Sequence, residues 1–85
     1  MKLFGQDAFE VTYECAISDK DTELIIVAPQ CFTDMDDVGV FIKRHYPTER
    51  TDYLVRTIEM FGDGRSKQFK YIWDNKILSV TFHYI

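Results

Sequence analysis

Residues 8–17 read Ala-Phe-Glu-Val-Thr-Tyr-Glu-Cys-Ala-Ile, with Phe9, Val11, Tyr13, Cys15 and Ile17 alternating against Glu10, Thr12, Glu14 and Ala16. A period of two predicts a half-buried β-strand. Ser18 to Thr22 is polar and turn-like, and Glu23–Ala28 carries the apolar run Leu24-Ile25-Ile26-Val27. The two segments predict a hairpin with a longer loop, stopped by Pro29. Beyond it, Met35, Val38, Phe41 and Ile42 fall on one helical face, which His45 or Tyr46 extends. Thr33 or Asp34 supplies the N-cap, and Asp36 gives Thr33 a weak capping box. Acids at the start and Lys43, Arg44 and His45 at the end both suit the helix dipole, so His45 reads as a C-terminal cation. Tyr46-Pro47 closes the helix, and Gly39 within it predicts close approach to the sheet.

Three more strands are expected. Residues 53–61, Tyr-Leu-Val-Arg-Thr-Ile-Glu-Met-Phe, are apolar on both faces of the alternation, which leaves their core face open. Gly62–Arg65 reads as a turn. Phe69, Tyr71 and Trp73 alternate with Lys70, Ile72 and Asp74, and Asp74-Asn75 reads as a tight hairpin turn. Leu78, Val80, Phe82 and Tyr84 alternate with Ser79, Thr81 and His83 to give the last strand. The sum is an α+β fold of order ββαβββ, with one helix packed on a mainly antiparallel five-stranded sheet. The expected strand order is 2-1-3-4-5. That leaves the second and fifth strands as apolar edges able to pair with another chain, for instance in a homodimer.

Eighty-five residues, 46% hydrophobic and 15% aromatic, fit a single domain over 1–85 and exclude a low-complexity tail. No apolar run reaches the ~20 residues of a membrane span, and Met1–Asp7 is too short an apolar stretch for a signal peptide. Cys15 and Cys31 form no C-x-x-C pair and read as reduced thiols, which fits a cytoplasmic protein, with one disulfide between them as the alternative. The net charge is −4, unevenly spread. Residues 1–37 hold nine acids and two bases, whereas residues 38–85 hold five acids and eight bases. If the sequence halves occupy different surfaces, one is acidic and the other mildly basic.

Catalytic chemistry finds little support. There is no G-x-S-x-G, and a Cys15–His83 or Cys31–His45 pair has nothing else to recommend it. Asp34, Asp36 and Asp37 lack the glycine and terminal Glu of a calcium loop, and no zinc spacing occurs, so neither metal nor cofactor is expected. The double-glycine run Gly62-Asp63-Gly64 sits between predicted strands and matches no phosphate loop. Two surfaces remain. Glu10, Glu14, Asp19, Asp21, Glu23, Asp34, Asp36 and Asp37 form an acidic set suited to a basic protein partner, although ordinary solubilising charge would look the same. Arg56, Arg65, Lys67 and Lys70, among Phe69, Tyr71 and Trp73, form the alternative, a nucleic-acid-binding set.

The ββαβββ pattern, the helix Asp36-Asp37-Val38-Gly39-Val40-Phe41-Ile42-Lys43-Arg44-His45-Tyr46-Pro47 and the acidic first half together resemble small phage or mobile-element proteins. These are host-takeover inhibitors of the anti-CRISPR kind. The resemblance implies a non-enzymatic protein that inhibits a host nucleic-acid-handling or defence complex, working in the host cytoplasm and binding a basic host surface. The alternatives are a nucleic-acid-binding regulatory module using the basic half, and a self-associating structural subunit.

Overall fold

A computed structural model describes residues 10–85, so the expected strand start at Ala8 and Phe9 lies outside the described residues. Six elements follow one another: β1 (Val11–Asp19), β2 (Ile25–Phe32), α1 (Met35–Lys43), α2 (Thr48–Phe61), β3 (Gln68–Trp73) and β4 (Lys76–Tyr84). The fold is α+β, and the described residues form one antiparallel sheet of four strands and two helices rather than five strands and one helix.

The expected strand over 53–61 is the body of α2. Thr51, Leu54 and Ile58 recur at helical spacing and are buried, with the half-buried Val55 beside them. Glu49, Asp52, Arg56 and Glu59 face out. Pro47, expected only to end a helix, also stands as the N-cap of the next one. Its fixed φ suits that place, and its missing amide costs nothing there. Pro29 does not stop β2, which runs through it to Phe32. An edge strand tolerates this because the side lacking a donor faces away from the ladder.

The strand order is β2-β1-β4-β3, not 2-1-3-4-5. The C-terminal strand is therefore central, paired with β1 from Val11↔Tyr84 to Asp19↔Lys76, and among the described residues the open edges are β2 and β3. The first half of the chain supplies β2, β1 and α1, and the second half supplies β4, β3 and α2. The charge split at residue 37 falls within α1, so residues 1–37 supply β1, β2 and the first turn of α1, and residues 38–85 the rest of α1 with α2, β3 and β4.

Asp34 caps α1, its carboxylate accepting from the Asp36 amide at 2.9 Å. Both helices cover one sheet face. The core joins Tyr13, Cys15, Ile17, Phe69, Leu78, Val80 and Phe82 of the sheet to Val38, Phe41, Ile42, Leu54 and Ile58 of the helices. Each such large apolar side chain contributes about 1.5–3 kcal/mol on burial. Gly39 faces α2 rather than the sheet: a Cβ there would stand 3.5 Å from Val55 Cγ2, an ordinary contact. No described helix is long and apolar enough to cross a membrane.

Candidate functional site

Among the described residues the other sheet face carries no helix. It presents Glu14, Ala16 and Ser18 from β1, Ile77, Ser79, Thr81 and His83 from β4, and Gln68, Lys70 and Ile72 from β3. Its far end is polar, where His83 Nε2 and Glu14 Oε1 meet at 2.7 Å. Both side chains are substantially exposed, so the pair adds at most about 1 kcal/mol. Its near end is apolar. The register aligns Ile25, Ser18, Ile77 and Ile72 in one row across all four strands. Ile25 is 66% exposed and Ile72 56%, and beside them Leu24 is 69% and Ile26 52% exposed.

This end is built rigidly. Asp19 accepts hydrogen bonds from the Asp21 amide at 3.0 Å, the Thr22 amide at 2.8 Å and the Thr22 hydroxyl at 3.0 Å. The Thr22 bonds, backbone first, hold its carboxyl below the usual range. Asp74 and Asn75 have φ of 54° and 61°, a turn that matches strand twist. Asn75 ties the two hairpin turns together: its carbonyl accepts from the Lys20 amide at 2.9 Å, and its side chain reaches Asp19 Oδ1 at 3.3 Å. Asp21 and Glu23 stand exposed at the rim.

The acidic set does not form one patch. Glu10 adjoins Thr33, beside the start of α1 with Asp34, Asp36 and Asp37. Asp19, Asp21 and Glu23 sit at the other end of β1, roughly 25–30 Å away at ~3.3 Å per residue. Asp19 and Asp34 also serve the backbone, as turn clamp and helix cap, and Glu14 is taken up by His83. The sequence missed the apolar row, although Leu24-Ile25-Ile26 was its visible part.

The basic set is spread as well. Arg56 stands on α2 and not on a strand, Arg65 and Lys67 precede β3, and Lys70 lies on the helix-free face. Phe69 is buried, and Tyr71 and Trp73 share its helix-covered face. Arg50 occupies the last two rings, 3.0 Å from the Tyr71 hydroxyl and 5.6 Å from the Trp73 ring centre. Tyr71 and Trp73 are thus half-buried and partly covered by Arg50.

Cys15 points into the core, and burial pushes its thiol up to about 12, while Cys31 is exposed on the opposite face. His83 is also on that opposite face, away from Cys15. Burial first, then Lys76 and Arg44, lower the pKa of His45, which works against the expected C-terminal cation. Among the described residues no three His, Cys, Asp or Glu side chains are placed to hold a metal ion. Comparison with protein-family models, with curated proteins and with solved structures finds no match.

Proposed function

We propose that the chain is a non-enzymatic protein-binding protein whose contact surface is the joined hairpin end of the sheet. Leu24, Ile25 and Ile26 form its apolar centre, Ile77 and Ile72 continue it across Ser18 to the far edge, and Asp21 and Glu23 form its acidic rim. The observation that carries this reading is an exposed apolar row on backbone clamped by Asp19 and Asn75. A pre-ordered apolar centre with a charged rim is the usual anatomy of a protein interface, because little entropy is lost on docking. The matching partner offers an apolar depression bordered by Lys or Arg. In its sharper form, the chain inhibits a host nucleic-acid-handling or defence complex by covering the basic surface that holds the nucleic acid.

The test uses immobilised chain, host lysate and mass spectrometry, with and without nuclease. A Leu24→Ser/Ile25→Thr/Ile26→Thr variant and an Asp21→Lys/Glu23→Lys variant are compared with the parent. A nuclease-resistant partner weakened by about tenfold or more in both variants supports the reading, since central apolar anchors carry most interface energy. A partner retained by both variants but lost on Asp36→Lys/Asp37→Lys moves the surface to the start of α1. Recovery abolished by nuclease favours the basic set and nucleic acid.

A further inference from the structure

The two sheet edges are not alike. On β2, Pro29 lacks a donor, and the register with β1 shifts twice, between Cys15 and Ile17 and between Ile17 and Ser18. Both features blunt an edge. On β3 the ladder with β4 is regular from Gln68↔Thr81 to Trp73↔Lys76. The Phe82 amide donates to the Lys67 carbonyl at 2.9 Å, which fixes the phase. Antiparallel ladders alternate, so Lys67, Phe69, Tyr71 and Trp73 turn their backbone groups to β4. Gln68, Lys70 and Ile72 turn theirs outward, and all three residues are exposed.

The surroundings of that edge have a definite chemistry. From Gly64 to Trp73 every charged residue is a base: Arg65, Lys67 and Lys70. The net charge of the whole chain is −4, so this is a local reversal. Along the helix side of β3 runs an α2 stripe of Arg50, Tyr53, Thr57 and Phe61. The Tyr53 ring lies 6.3 Å from Tyr71, and the Phe61 ring 5.2 Å from Phe69. Tyr53 and Phe61 remain 52% and 41% exposed.

We propose that the open edge of β3 accepts an extended acidic segment of a partner protein as a fifth antiparallel strand. The partner's residues opposite Gln68, Lys70 and Ile72 share the helix-free face, where acidic side chains meet Lys70. Its intervening residues lie on the helix side, where apolar side chains cover Tyr53 and Phe61. The recognised pattern is therefore alternating acidic and apolar, with main-chain bonds giving affinity and alternate side chains giving specificity. A second copy fits poorly, because β3 paired about its centre sets Lys70 against Lys70. The edge meets the hairpin-end row at Ile72, but the proposal is carried by the outward backbone groups of β3 and does not depend on that row.

The probe is a fluorescein-labelled, end-capped hexapeptide of alternating Glu and Val, read by fluorescence anisotropy against the full chain. Saturable binding is expected. Methylating the three Glu amides, which face β3, weakens it by about a hundredfold, since each lost bond is worth about 1 kcal/mol. Methylating the Val amides, which face away, leaves it unchanged. Lys70→Glu also weakens binding, and hydrogen exchange slows at the amides of Gln68, Lys70 and Ile72. Several results would overturn the proposal: no saturation at millimolar protein, equal effects of the two methylations, or a thymidine hexanucleotide that competes as well as the peptide. So would edge protection that appears without peptide and rises with protein concentration, the mark of self-pairing.

Discussion

Replacing Tyr46 by Phe should stabilise the protein. Tyr46 is 4% exposed, and its hydroxyl has no hydrogen-bond partner among the described residues. Burial first, then Tyr71 and Asp74, pushes that hydroxyl up to about 12, so it stays neutral at ordinary pH. An unmet buried hydroxyl costs about 1–3 kcal/mol of desolvation. Removing it leaves a void of roughly 10 Å³, costing about 0.2 kcal/mol at ~24 cal/mol per Å³. The ring's other partners survive: Lys76 Nζ 5.0 Å above it, and Trp73 and Tyr71 with centroids 5.9 and 6.1 Å away. The expected gain is about 1 kcal/mol, or ~4–8 °C in melting temperature for a domain of this size. Urea unfolding followed by circular dichroism measures it, and an unchanged slope shows that the same surface is exposed. Tyr46→Leu, which discards the ring contacts, should destabilise. If Tyr46→Phe instead lost about 1 kcal/mol, the hydroxyl would be hydrogen-bonded in solution, by a buried water for example, and the reasoning would fail.

Thiol labelling should separate the two cysteines. Iodoacetamide is expected to modify exposed Cys31 promptly in the native protein and to reach buried Cys15 only after unfolding in urea, whereas two equally fast labels would contradict the core assignment. His45 predicts a pH dependence. Its folded pKa is lowered from the ordinary 6.5, so below 6.5 the unfolded chain takes up a proton before the folded one does. Stability should then fall as pH drops through 6.5 and level off once the folded pKa is passed. Urea midpoints between about pH 8 and pH 5 measure this, His45→Gln should flatten that part of the profile, and an unchanged slope would count against it.

The elements that could be read directly are those whose period agrees with their composition. β1 and β4 alternate cleanly. α1 combines a 3.6-residue apolar face with the Asp34 cap, and the Asp74-Asn75 turn needs positive φ that Asn and Asp tolerate. α2 misleads because Tyr53, Val55, Thr57, Ile58 and Phe61 are β-branched or aromatic, which local composition assigns to a strand. Burial of Thr51, Leu54 and Ile58 against the sheet overrides that propensity. The contrary sign was present: apolar residues on both faces of a supposed strand, yet Leu54 and Ile58 four apart. Losing that strand changes the whole sheet order. It moves the C-terminal strand to the centre and makes β3, not the last strand, the second open edge.

The charge split takes its meaning from the same topology. Because β1 and β4 pair in the middle, the outer strands are β2, bounded in sequence by Glu23 and Asp34, and β3, approached by Arg65 and Lys67. Two edges of opposite character on one sheet carry a hazard, since β2 of one copy could add to β3 of the next. Such a contact is heterologous and does not close, so it would grow into a filament. Charge alone would favour it. What opposes it is the backbone of β2, where Pro29 withholds a donor and two register shifts break the regular spacing a neighbouring strand needs. The apolar residues of β2 are left to side-chain docking at the hairpin end, and main-chain pairing is confined to β3. On this view Pro29 is a specificity device that keeps the two surfaces from meeting each other.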